Sequence, residues 1–129
     1  MSFTHLHVHS HYSLLDGLSK VEEIVDKCLE TGMPAVALTD HGNMYGIKEL
    51  LDYCKKINKK RKEAAAASGE EFVPFKPIVG VEAYCARRGR FSKNDDKAVS
   101  GEGRTYFIDR SGWHLILLAK NMVGYHNNE

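Results

Sequence analysis

The chain has little of what would make it a membrane protein or a disulfide-knit one. No apolar run approaches the roughly 18 residues of a spanning helix, and Met1 to Ser10 has no signal-peptide pattern. The three cysteines, Cys28, Cys54 and Cys85, are odd in number and far apart. That spacing excludes a disulfide framework and a Cys-x-x-Cys zinc pair, and leaves reduced, mostly buried thiols in a cytoplasmic protein as the expectation. Net charge is scarce as well. Eighteen Lys and Arg stand against 17 Asp and Glu, a formal +1, so no strong overall field steers the chain toward nucleic acid or membrane. There is no internal repeat. At 129 residues, 43% hydrophobic and 27% charged, the chain has the size and composition of one globular domain or less.

Histidine, by contrast, is concentrated. Four of the seven fall in the first eleven residues, within His5-Leu6-His7-Val8-His9-Ser10-His11. Phe3 to Val8 reads as a short strand, and alternate side chains of a strand share a face. The four imidazoles are then expected on one side, with Leu6 and Val8 on the other. Neighbouring imidazoles start roughly 7 Å apart at Cα, close enough to share a metal or serve adjacent ones. An affinity-tag remnant would not alternate with Leu and Val, and a buried face of unliganded histidines leaves ring nitrogens to be satisfied. His7 and His9 are therefore expected metal ligands. For His5 and His11 a supporting or solvent-facing role competes with ligation.

Further along, Ser19 and Glu22 form an S-x-x-E capping-box pattern. Val21, Ile24, Val25, Cys28 and Leu29 then recur at helical spacing until Gly32 and Pro34 stop them. Ala35-Val36-Ala37-Leu38-Thr39 is an apolar run of strand length, as expected of a strand covered on both faces. A second helix begins near Ile47 with the stripe Ile47, Leu50, Leu51, Cys54 and Ile57, fades into Lys59-Lys60-Arg61-Lys62 and an alanine run, and ends at Ser68-Gly69. Pro77 to Val81 is a third strand carrying Glu82 at its end, and Trp113 to Ala119 a fourth strand candidate. Between them, residues 87–104 are polar and rich in Gly, Ser, Lys and Asp, the composition of a mobile surface loop. Strand, helix, strand, helix, strand is the order of an α/β protein with parallel strands, whose ligands gather at the rim of strand C-termini.

That rim is where the remaining chemistry falls. His41, in Thr39-Asp40-His41-Gly42, follows the second apolar strand. It reads either as a ligand loop, with Asp40 as a supporting partner, or as a turn capping the next helix. Asp16 before Gly17 is a ligand or a plain turn aspartate, and Glu82 a ligand or a plain strand-end charge. Imidazoles and carboxylates from successive loops suit Zn²⁺, Mn²⁺ or Fe. Adjacent metals bridged by a carboxylate generate hydroxide near neutral pH and clamp a phosphoryl oxygen. The basic run Lys59, Lys60, Arg61, Lys62 is a solvated helix end or a contact for a phosphate backbone.

The opening Phe3-x-His5-Leu6-His7-x-His9-Ser10-x-Tyr12-Ser13-Leu14-Leu15-Asp16-Gly17 resembles the first motif of the PHP (polymerase and histidinol phosphatase) superfamily. The closest likeness is to the branch that opens bacterial DNA polymerase III α subunits. Gly32-Met33-Pro34-Ala35 through Thr39-Asp40-His41-Gly42-Asn43 resembles the same branch. So do Lys76 to Tyr84, and His114 to Asn121 with Gly124-Tyr125. The resemblance implies a distorted seven-stranded α/β barrel of parallel strands, of which this chain is a truncated part. It implies up to three divalent ions (Zn, Mn or Mg) lined by His7, His9, Asp16, His41, Glu82 and His114, with no catalytic residue separable from those ligands. His114, at the start rather than the end of its apolar run, reads equally as a structural histidine. The stretch from Lys59 to Val73 is longer than the usual join at this point.

Two functions follow from the resemblance. One is the opening part of a replicative polymerase α subunit, partnered by the rest of that subunit, by replisome subunits and, through them, by DNA, and carrying a structural or 3′–5′ exonuclease domain. The other is a stand-alone small-molecule phosphatase, against which the Tyr12 to Gly17 wording argues. The domain is expected to continue beyond residue 129, where the polymerase domains would also lie. A part ending there is expected to be inactive by itself, and to self-associate through exposed strand edges.

Overall fold

Val21, Val25 and Cys28 recur at helical spacing and are buried along one side of the first helix, α1 (Val21–Glu30), in the computed structural model, which describes residues 3–110 and 112–127, Asp109 by its backbone alone. The cap at its start falls one residue later than Ser19 and Glu22 suggest. Lys20 N–H donates to Glu23 Oε2 at 3.1 Å, because the Ser19 carbonyl is taken by His11 N–H at 2.9 Å and belongs to the preceding loop. Gly32, at φ 74°, supplies the left-handed step that ends α1.

The strand β1 (Ala35–Leu38) is buried at all four positions, as a run covered on both faces must be. The second helix, α2 (Ile47–Ser68), buries Ile47, Leu50 and Cys54 and ends on Gly69 at φ 73°. Its later half is built of strong helix formers, Lys, Arg, Glu and Ala, and is exposed. Asn58 ties it down. Its side-chain amide donates to the Phe75 carbonyl and accepts from Phe75 N–H, both at 2.8 Å. Phe75 is thereby fixed in the core with Val21, Val25, Val36, Leu38, Leu50 and Cys54.

The strand β2 (Lys76–Cys85) pairs in parallel with β1, Ala35 opposite Lys76 and Leu38 opposite Val79. Two short strands, β3 (Lys97–Val99) and β4 (Thr105–Phe107), form an antiparallel hairpin. A 3-10 turn (Ile108–Arg110), β5 (Trp113–Leu118) and the short helix α3 (Met122–Asn127) follow. The larger sheet has the order β1-β2-β5.

The strand expected at Phe3–Val8 does not form a ladder. His5 makes one parallel bridge to Val36, and the His5 and Val8 carbonyls accept Ala37 and Thr39 N–H groups at 2.9 Å. Val8 N–H, however, goes to the Thr39 hydroxyl at 3.0 Å, a side chain taking the place of the next strand partner. Nor do the described residues close a barrel; they hold five strands in two small sheets. The fourth expected strand is not parallel. Ala119 N–H reaches the Val79 carbonyl, whereas Gly112, just ahead of β5, lies against Cys85 at the other end of β2, so β5 runs opposite to β2. The reason is the connection. Parallel strands require a long crossover, usually a helix, and the segment between β2 and β5 has only the β3–β4 hairpin and a 3-10 turn.

The chain divides into two units, residues 1–82 with 116–129, and residues 83–115. The first holds the core. The second, which contains the whole stretch expected as a surface loop, has no buried position among its described residues. It is organised by the hairpin, by Arg88–Asp96 and Arg110–Asp95 ion pairs at 2.9 and 2.6 Å, and by the Arg87 guanidinium 3.9 Å from the Trp113 ring centre.

Candidate metal centre

The segment His5 to Gly17 is shaped by one buried acid. Asp40, at the end of β1, accepts Ser10 N–H at 2.6 Å, the Ser10 hydroxyl at 2.9 and 3.0 Å, and the Ser13 hydroxyl at 2.8 Å. Ser10 and Ser13 are themselves buried. Ser13 Oγ in turn accepts His41 N–H at 2.9 Å, and the Ser13 carbonyl accepts Asp16 and Gly17 N–H at 2.9 and 2.8 Å. Gly17 is required there, for a Cβ would overlap the Ser10 carbonyl. The hydroxyl cage thus fixes the backbone at three candidate ligands, His9, Asp16 and His41.

Their side chains converge on Glu82, a carboxylate only 4% exposed. Glu82 Oε2 lies 2.6 Å from His7 Nε2 and 3.3 Å from His9 Nε2, and the two imidazole nitrogens are 3.1 Å apart. Glu82 Oε1 lies 3.0 Å from His41 Nδ1, which is 2.7 Å from Asp16 Oδ2. One carboxylate therefore faces two donor sets, one oxygen to each. The parallel bridge between His41 and Glu82 sets this geometry, because it places the ends of β1 and β2 level.

The donors fit a divalent cation. Ligands of a tetrahedral ion at roughly 2.0–2.1 Å are about 3.3 Å from one another, and the first set, at 2.6 to 3.3 Å, is close to that spacing. Imidazole nitrogens and carboxylate oxygens are the donors that zinc and manganese accept. A cation held among these donors would also offset the burial of the Glu82 carboxylate.

His7, His9, Asp16, His41 and Glu82 are brought together. His5 is not among them; it is exposed, with its ring edge-on to Phe3 at 4.8 Å. His11 stacks on Tyr12 at 4.3 Å between ring centres. The four imidazoles do not share a face, because the chain leaves β1 after Val8 and turns. His114, at the start of β5, is exposed and meets the Tyr84 ring edge-on at 5.2 Å. Asp40 holds hydroxyls rather than imidazoles, so it supports the ligands through the backbone. Lys59, Lys60, Arg61 and Lys62 are exposed on α2.

Sequence reasoning gave no role to Ser10, Ser13 or Thr39, although the signal was present as short polar residues spaced among the ligands, and it offered Asn43 only as a cap for the next helix. Asn43 donates to the Tyr12 and His41 carbonyls at 3.1 and 3.0 Å. Tyr12 OH donates to Glu49 Oε2 at 3.0 Å, and that bond raises the phenol pKa above its ordinary value. On α2, burial together with a bond to Asp26 pushes Tyr53 up to about 12, and burial pushes the Cys54 thiol up to about 11. Cys28 is shifted upward by burial as well, so both core thiols are inert. Cys85 is exposed.

A family model described as the PHP domain matches residues 5–128. The chain is 41% identical over 125 residues to "DNA polymerase III subunit alpha" of Borreliella burgdorferi, covering 97% of this chain and 9% of that protein. It is 41% identical over 127 residues to the protein of the same name from Treponema pallidum, covering 98% and 9%. With that of Mycobacterium tuberculosis it shares 37% over 137 residues, covering 98% and 10%. The chain thus spans about a tenth of the length of the curated relatives it matches.

Proposed function

From the premise that the chain belongs to the PHP domain family, we propose that it is the metal-binding opening portion of a bacterial replicative polymerase α subunit, working as a phosphoesterase-type module. The ions are divalent (zinc, manganese or magnesium), up to three, held by His7, His9, Asp16, His41 and Glu82, with His114 as a further ligand. The observation that carries this reading is the division of Glu82, one oxygen toward His7 and His9 and the other toward His41 and Asp16. That is the placement a carboxylate needs to bridge adjacent ions. Such ions supply hydroxide near neutral pH and charge stabilisation for a phosphoryl oxygen.

The protein's own residues do the positioning. Asp40, Ser10 and Ser13 hold the backbone at His9, Asp16 and His41, and Glu82 stands between the two donor sets. His7, about half exposed, leaves one side open to substrate, as a catalytic site requires. The chemistry supports 3′–5′ exonuclease action on a nucleic-acid end in the parent protein. DNA-directed DNA synthesis would belong to the rest of that subunit, with the replisome as partner. The names of the relatives favour this branch over a stand-alone phosphatase.

Elemental analysis of the protein after exhaustive dialysis tests the proposal. Bound transition metal is expected, and its loss on Glu82→Ala. A protein that retains none, and takes up no Zn²⁺ or Mn²⁺ on titration, sinks it.

A further inference from the structure

The loop that presents His41 also presents an aromatic ring to solvent. Tyr45, four residues on, is 77% exposed, and its N–H is held by Asn43 Oδ1 at 3.2 Å. The same Asn43 side chain grips the Tyr12 and His41 carbonyls. Tyr45 thus stands at the edge of a cleft of about 470 Å³ that it lines with Tyr12, Tyr53, Lys48, Lys56 and the acids Glu22, Glu49 and Asp52, the last paired with Lys48. Tyr12 and Tyr53 spend their hydroxyls on Glu49 and Asp26, which fixes both rings in the cleft wall.

The cleft does not stop at Lys56. On a helix surface, residues three and four apart are neighbours, so Lys56 leads directly to Lys59 and Lys60, and Lys55 to Lys59 and Lys62. Six cations lie within the eight residues 55–62, all exposed. Elsewhere Lys27, Lys48, Arg88, Arg104 and Arg110 each face a carboxylate, while among the described residues Lys20, Lys76, Lys93, Lys97 and Lys120 stand singly without one, so the density of residues 55–62 is what sets them apart. Among the described residues, none of the six cations between Lys55 and Lys62 does. A dense row of exposed cations is what a binder of phosphates gains from.

We propose that Tyr45, its cleft and the cationic side of α2 form a track for single-stranded nucleic acid, bases against the tyrosines and phosphates along Lys56, Lys59, Lys60 and Lys62. From Lys48 to Lys62 the track runs about 21 Å along α2. Aromatic rings beside an unpaired basic row are the means by which proteins hold single strands without reading sequence. An acidic protein partner would be met by the charges alone, and has no use for an exposed ring at the cleft mouth. The inference rests on the metal-centre reading for its direction, since the loop shared by His41 and Tyr45 places the strand's end toward the ions.

Anisotropy of a labelled oligothymidylate of about 12 residues, without added metal, tests the track. Binding is expected to weaken between about 50 and about 200 mM salt. Replacing Lys59, Lys60 and Lys62 together by Gln should lower the salt slope by about 2. Tyr45→Ala should weaken binding about 5- to 100-fold with the slope unchanged, and leave the weak binding of a duplex of equal length untouched. Absence of binding by the unsubstituted chain overturns the inference. So does indifference to Tyr45→Ala, or equal competition by a polysulfate, which would assign the row to an acidic partner. Metal content is measured on the same variants, none of which alters a ligand. Ions retained without oligonucleotide binding refutes the track alone, and oligonucleotide binding without ions refutes the metal centre alone.

Discussion

Two buried acids occupy the ends of neighbouring strands, and they are held in opposite ways. Asp40, 2% exposed, accepts from a backbone N–H and two serine hydroxyls. Glu82, 4% exposed, is surrounded by imidazoles, with His41 linking it to a second acid, Asp16. They are joined directly, Glu82 N–H donating to the Asp40 carbonyl at 3.1 Å. Hydroxyls and amide N–H groups satisfy a carboxylate permanently and bring no lone pair suited to a transition metal. Imidazoles satisfy it only provisionally, because a neutral ring offers a lone pair as readily as a proton. Burial alone, then, does not mark a functional acid; the chemistry of its neighbours does.

The sharpest way to break this contrast is Asp40→Asn. An amide cannot accept all three donors, and a buried acceptor removed from its partners costs about 3 kcal/mol or more. That loss should appear in urea unfolding of the metal-free protein. Glu82→Gln should do the reverse. Zn²⁺ affinity by calorimetry should fall beyond the roughly 10–100-fold that loss of an outer partner costs, while metal-free stability moves by about 1 kcal/mol or less. If both variants lose stability alike, the two acids are equivalent and the contrast fails. Ser13→Ala sits between them, since Ser13 serves Asp40 and His41 N–H at once. It should cost about 1–2 kcal/mol together with a measurable drop in metal affinity.

The smallest effect is alkaline. Cys54 and Tyr53 have folded pKa values raised to about 11 and about 12, above their ordinary 9.0 and 10.0. The stability they lend is fully present below those ordinary values and is lost as pH rises through the raised ones. Midpoints of thermal unfolding should fall from about pH 9 upward. Tyr53 bonds to Asp26 and to neither of the two acids, so the fall should be the same in the parent, Asp40→Asn and Glu82→Gln proteins. A slope altered in either variant would mean that the acids reach further into the core than their partners indicate.

Most of the helices and β1 were legible from spacing, since Val21, Val25 and Cys28, and Ile47, Leu50 and Cys54, are the positions the core buries. The proximity of His7, His9 and His41 was legible from the histidine-rich opening and from the place of His41 after the second apolar run. Three things were not. The first strand dissolves because a threonine hydroxyl replaces a backbone partner, and no periodicity records which polar group a given N–H will choose. The direction of β5 depends on the connection before it rather than on its own residues. Asp16 and Glu82 are each ordinary in isolation, and only the fold shows that one carboxylate spans two donor sets.

The register of β2 carries a consequence for assembly. His41 and Glu82 are opposite one another because Leu38 is opposite Val79. A slip of one position would turn Glu82 to the other side of the sheet and scatter the donors. A cation held by these donors would therefore be open only to chains whose strands have docked in the right alignment, and its uptake would report on correct folding.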